Sequence, residues 1–97
     1  MKKQKNKKEV ESLNKLRRRI DGIDIEIQQL IAERAKIAQS IGVEKGLTKT
    51  SEHYRPEREA QVLREVIKRN NGPLRDDEMV RLFRELMSAC LATEEPL

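Results

Sequence analysis

The sequence has little of what most catalytic and binding chemistry uses: no Trp and only one Tyr, one Phe, one Cys and one His in 97 residues. A single Cys and a single His do not assemble a zinc site. Cys90 alone excludes an intrachain disulfide and fits a reducing compartment. No Cys-His or Ser-His-Asp nucleophile is expected, because the one histidine, His53, falls in a polar connecting segment. Two aromatics offer no stacking platform for nucleic-acid bases. A phosphate loop is missing too: Gly46-Leu47-Thr48-Lys49-Thr50-Ser51 has Lys and Thr but only one glycine. No apolar run approaches the roughly 20 residues of a membrane span, and the lysine-rich start lacks the apolar segment of a signal peptide. The expectation is a cytoplasmic chain with neither membrane nor nucleic acid as partner.

What is abundant is charge. Charged residues make up 39% of the chain and hydrophobic ones 36%, dominated by Ala, Leu, Ile, Glu, Lys and Arg, the composition of long helices and coiled coils. A 97-residue chain suffices for one small domain, but a core this poor in aromatics is marginal at that size. Association through helices is therefore expected. The net charge of +4 misleads: five lysines sit at positions 2, 3, 5, 7 and 8, and without them the remainder carries −1. Residues 1–9 read as a disordered, solvated basic tail and residues 10–97 as the folded domain.

Periodicity predicts an all-α fold of one long and two shorter helices. The first spans about Lys8 to about Lys45, with Val10, Leu13, Leu16, Ile20, Ile23, Ile27, Leu30, Ile31, Ile37 and Ile41 on one stripe. Gly22 inside it costs about 1 kcal/mol relative to Ala, a sign of close helix packing. The second opens at Pro56 with Glu57 and Glu59 in its first turn, presents Glu59, Val62, Leu63, Val66 and Ile67 on one face, and ends at Asn70-Asn71-Gly72-Pro73. Asp76 or Asp77 is the expected cap of the third, whose face is Met79, Phe83, Leu86, Met87, Cys90 and Glu94. At 1.5 Å per residue the first helix is about 55 Å long. A compact domain of this size is only about 30–35 Å across. Either the helix bends or a second chain covers it, and an intertwined homodimer is the expected solution.

Chemistry shows as charge in apolar places, since functional sites are where sequence rules fail. Arg34 sits at the centre of the first helix's stripe, and Lys45, eleven residues on, is only about 20° around the same seam. Glu59 heads the apolar face of the second helix, and Glu94 extends the line of Phe83, Met87 and Cys90. Each has a plain structural explanation. Arg34 and Lys45 can snorkel, Glu59 can serve the helix dipole, Glu94 lies near the chain end, and Cys90 is a small core residue. Mutual pairing can also satisfy the four ions. Two cations on one seam, however, call for an anion between them.

The segments Leu16–Gly46 (LRRRIDGIDIEIQQLIAERAKIAQSIGVEKG), YRPEREAQVL at 54–63, NNGPL at 70–74 and LFRELMSACLATEEPL at 82–97 resemble the helical chorismate mutases. The likeness is to the mutase domain fused ahead of prephenate dehydratase in bifunctional proteins, and it covers about residues 10–97. It implies an interlocked dimer of three-helix chains and the rearrangement of chorismate to prephenate in phenylalanine and tyrosine biosynthesis, with no cofactor and no metal. Carried over by residue, it implies that Arg34 pairs with a substrate carboxylate and that Arg17 reaches into the partner chain's site. Lys45 would contact a carboxylate and the ether oxygen of the breaking bond. Arg58 and Glu59 match the family's Arg-Glu pair, with Glu59 accepting from the ring hydroxyl. Glu94 falls where the family places Gln or Glu against the ether oxygen. Cys90 replaces a Ser found near a carboxylate in some members, which weakens that contact, and Arg55 replaces an acidic residue.

Two other readings remain open at this point. One is the pyruvate lyase of salicylate synthesis, which has the same fold and takes isochorismate. The other is a non-catalytic helical dimerisation or nucleic-acid-binding module using the lysine tail. The sequence leaves open whether the chain is complete or one domain of a dehydratase fusion.

Overall fold

The computed structural model describes residues 6–44 and 55–93. They form three helices, α1 (Lys7–Glu44), α2 (Pro56–Arg69) and α3 (Asp76–Ala92), and among the described residues there is no strand. The all-α expectation therefore holds. Lysines 2, 3 and 5 of the expected tail, most of the 46–55 loop, and the candidate residues Lys45 and Glu94 lie outside the described residues. Among the described residues no helix is long and apolar enough to cross a membrane.

Backbone contacts divide the chain into two units, Met1–Ala32 and Glu33–Leu97. In the first, α1 starts at Lys7, so the expected boundary between residues 9 and 10 falls inside the helix. Asn6 explains the start: its Oδ1 accepts the Glu9 backbone N–H at 2.8 Å, satisfying one of the donors a helix N-terminus leaves free. The apolar stripe that follows is uncovered. Leu16, Ile20, Ile23, Ile27 and Leu30 are all exposed, Leu30 by 63%. Among the described residues nothing lies within 4 Å of where a Cβ at Gly22 would stand.

In the second unit α2 packs against α3. The apolar faces are those the periodicity predicted. Val66 and Cys90 are each only 3% exposed, with Val62, Leu63, Met79, Phe83, Leu86 and Met87 partly buried around them. Ile67, the last member of the predicted α2 face, is exposed. Pro56 opens α2 as expected, with Glu57 and Glu59 in its first turn and Lys68 and Arg69 in its last, each sign matched to the nearer pole of the helix dipole. The core is small. Among the described residues no large side chain is fully buried.

The α2–α3 turn departs from the expected capping. The cap of α3 is Arg75, which makes no side-chain cap bond, and Asp76 and Asp77 lie inside the first turn. Both carboxylates have other partners. Asp76 Oδ1 accepts from Asn70 Nδ2 at 2.8 Å, and Asp77 pairs with Arg75 at 3.2 Å. Asn70 organises the whole turn: Nδ2 also donates to the Leu74 carbonyl at 3.0 Å, and Oδ1 accepts from Gly72 N–H at 3.3 Å. Gly72 itself sits at φ +73°, a region that costs an L-residue about 1–2 kcal/mol.

Asn70→Asp removes both donor bonds, since a carboxylate only accepts, and sets a negative charge against Asp76. Its expected cost is on the order of 1 kcal/mol, read as a lowered urea midpoint with unchanged slope. A midpoint equal to wild type would show that the turn is held by the backbone alone.

Candidate functional site

Arg34, Glu59 and Cys90, the candidates buried to some degree, all belong to the second unit. Arg34 is partly buried on α1 in a stretch where Ala35 and Ala38 are also partly buried and Gly42 is buried. The apolar residues Ile37 and Ile41 of the same stripe are exposed. Among the described residues no carboxylate forms an ion pair with Arg34; the pairs present join Arg69 to Glu65 and Arg75 to Asp77 and Glu78. A guanidinium is always charged, so its partly buried position favours an anionic partner.

One hydroxyl ties Arg34's surroundings to α3. Thr93, at the end of α3, donates from Oγ1 to the Cys90 carbonyl at 2.6 Å and lies 3.5 Å from the Ala35 carbonyl. The peptide groups of Cys90 and of the residue next to Arg34 thus flank a single oxygen. Cys90 is buried and its thiol is free, as the α3 face predicted.

On α2, Glu59 is partly buried and Arg58 exposed. Glu59 is acidic in the helix's first turn, so the dipole role and a ligand role are both compatible with its place. The Arg58 guanidinium donates to Gln61 Oε1 at 2.8 Å. A neutral acceptor orients it without cancelling its charge. Arg55 is the exposed N-cap of α2 and makes no side-chain cap bond. Arg17 belongs to the first unit and is exposed. Lys45 and Glu94 lie outside the described residues.

Thr93 and Gln61 have no role in the sequence reading, and Asn70 appears there only as part of the segment that ends the second helix. The one signal available was Thr93's place in the last turn of a predicted helix, where hydroxyls commonly bond back to the preceding carbonyls. Among the described residues no group of three or more His, Cys, Asp or Glu side chains is arranged to hold a metal ion. The open depression bounded by Asn6, Lys8, Glu9, Ser12, Leu13 and Leu16 contains none of the candidate residues. It lies along the surface of a single helix, so it has no opposing wall.

Comparison with known proteins identifies the lineage of this arrangement. Residues 16–95 match the model of the family described as chorismate mutase type II. A bifunctional chorismate mutase/prephenate dehydratase of Stutzerimonas stutzeri is 50% identical over 93 residues, covering 92% of this chain and 26% of that protein. The protein of the same name from Neisseria gonorrhoeae is 54% identical over 81 residues, covering 84% of this chain and 22% of its own length. The chain thus spans about a quarter of the length of these curated relatives. A solved chorismate mutase from Thermus thermophilus is 35% identical with a TM-score of 0.76, covering 86% of this chain and 93% of that one. The family match over most of the chain, together with a similar fold along nearly the whole of a solved member, is decisive: the chain belongs to the type II chorismate mutase family.

Proposed function

We propose that this chain rearranges chorismate to prephenate in a site completed by a second copy of itself. The observation that carries the reading is Arg34: a partly buried cation on the apolar stripe of α1, beside the residue that Thr93 ties to α3. The reaction suits the residue inventory. A pericyclic rearrangement needs no nucleophile and no net proton transfer, so the protein only has to hold and polarise its substrate. Arg34 and Arg17 from the second copy restrain a flexible dianion in a compact geometry, an orientation effect. Arg58 adds positive charge, and Glu59 accepts from the ring hydroxyl. Lys45 and Glu94 meet the charge that develops on the ether oxygen, and stabilising such developing charge usually contributes most to catalysis. Cys90, a weak donor, contributes little to the carboxylate.

The homodimer has its own support. Leu16, Ile20, Ile23, Ile27, Leu30, Ile37 and Ile41 are exposed in the single chain, and a stripe of that size marks an interaction surface. The lysine-rich start and a cytoplasmic location complete the reading, with residues 10–97 as the mutase domain. The test is loss of chorismate with prephenate detected as product, run beside isochorismate. Turnover of isochorismate alone, with release of pyruvate, would replace this reading by the lyase; turnover of neither would leave the chain a helical interaction module.

Glu94 adds a pH signature. The ether oxygen has only lone pairs, and an ionised carboxylate cannot donate to it. Only protonated Glu94 helps, so turnover is expected to rise as pH falls from about 8 towards about 5. Glu94→Gln, a permanent donor of similar shape, is expected to flatten that profile and hold or improve the rate at the alkaline end. Identical pH profiles for the two enzymes would remove Glu94 from the ether oxygen.

A further inference from the structure

We infer that Thr93 is a positioning residue of the mutase site, holding the end of α3 in register on α1 beside Arg34; the inference rests on the proposed activity. Three observations meet at this side chain. Its hydroxyl is 2.6 Å from the Cys90 carbonyl and 3.5 Å from the Ala35 carbonyl, which is 58 residues away in the chain. Among the described residues this is the one side-chain hydrogen bond that joins α1 to α3. Both carbonyls adjoin candidate site residues: Ala35 follows Arg34, and Cys90 belongs to the α3 face.

The two limbs do different work. A hydroxyl has one proton, and the short limb to Cys90 takes most of it. That limb closes the last turn of α3, where the Thr93 backbone N–H also reaches the Cys90 carbonyl at 3.1 Å. If this were all, Thr93 would be an ordinary helix-end residue bonding back on its own helix. The long limb adds the information across helices. Ala35 lies inside α1, where the helix bond uses one lone pair of its carbonyl oxygen and leaves the second for another donor. Sliding α3 by one residue along its axis moves the hydroxyl about 1.5 Å and breaks this contact. The seat therefore distinguishes one register from its neighbours. Arg34 must meet its anion at a fixed distance from groups on α3, so the register is part of the site geometry.

Thr93 is exposed in the single chain, so water competes for its hydroxyl. A misplacement of about 1 Å can cost about a hundredfold in rate. A seat shared with water is expected to account for a fraction of that, on the order of tenfold.

The test compares Thr93→Val, Thr93→Ala and Thr93→Ser with wild type on chorismate, after helix content and oligomeric state have been matched. Val keeps the shape without the hydroxyl, Ala removes both, and Ser keeps the hydroxyl alone. The expected result is a kcat about tenfold lower in Val and Ala, KM changed less than kcat, and recovery in Ser. A merely structural role would lower thermal stability in all three and leave kcat per folded dimer unchanged. Wild-type kcat in Val and Ala would overturn the inference, and so would a Ser variant as slow as they are. An inactive wild type would overturn the activity itself and the inference with it. An active wild type with an equally active Val variant would overturn the inference alone.

Discussion

Lys45→Ala is expected to lower kcat by about 100- to 1,000-fold, with a much smaller change in KM. The reason is timing. In the ground state the ether oxygen of chorismate carries little charge, and the substrate's two carboxylates are held by several cations. As the carbon–oxygen bond stretches, negative charge builds on that oxygen, and a lysine ammonium there gains interaction energy only then. An interaction stronger in the transition state than in the bound substrate appears in kcat. Removing one such charge-assisted donor costs about 3–4 kcal/mol by analogy with oxyanion holes. Lys45→Arg separates charge from placement, since a planar guanidinium does not put its donors where a compact ammonium puts its own. Near-normal turnover in Lys45→Ala would identify the residue as a snorkelling cation at the end of the α1 seam.

Mixing two dead proteins is expected to restore activity. Arg17→Ala and Arg34→Ala chains should each be nearly inactive, because every site in either homodimer lacks one arginine. In a heterodimer the outcome changes. One site takes Arg34 from the first chain and Arg17 from the second, both intact, while the other site has lost both. Equal mixing with free exchange should therefore recover about a quarter of wild-type activity, half the dimers having one working site of two. Subunit exchange is verified independently with differently tagged chains. Absence of recovery after proven exchange would sink the shared site and return Arg17 to the exposed surface of a chain that acts alone.

The helices were legible because helix formation is a local decision. Bonds run from residue to the fourth before it, and side chains repeat every 3.6 positions. The start of α2 at Pro56 and its end before Asn70 follow from residues within one turn of each boundary. The faces of α2 and α3 follow from spacing alone, and Val66 and Cys90 are buried where the pattern puts them. Arg34 was conspicuous for the same reason: a cation in the middle of a periodic apolar row violates the pattern whatever the tertiary structure does. Lys45 and Glu94 continue those rows in the sequence, and the family resemblance supplies the chemistry proposed for them.

Local reasoning failed where two partners compete for one group. Asp76 and Asp77 look like caps, yet Asn70 and Arg75 claim their carboxylates and the cap falls to Arg75.

By itself, then, the sequence determined the three helices, the faces of α2 and α3 that pack together, and the charges that interrupt the apolar rows. All of these depend on residues within a turn or two of one another. Only the tertiary structure decided that Arg34 is partly buried, that the Ile-rich stripe of α1 stays uncovered in the single chain, and that the Thr93 hydroxyl lies between the carbonyls of Cys90 and Ala35. The physical reason is range: a hydrogen bond between residues 58 apart leaves no periodic trace along the chain, because it exists only after folding has closed the loop between them.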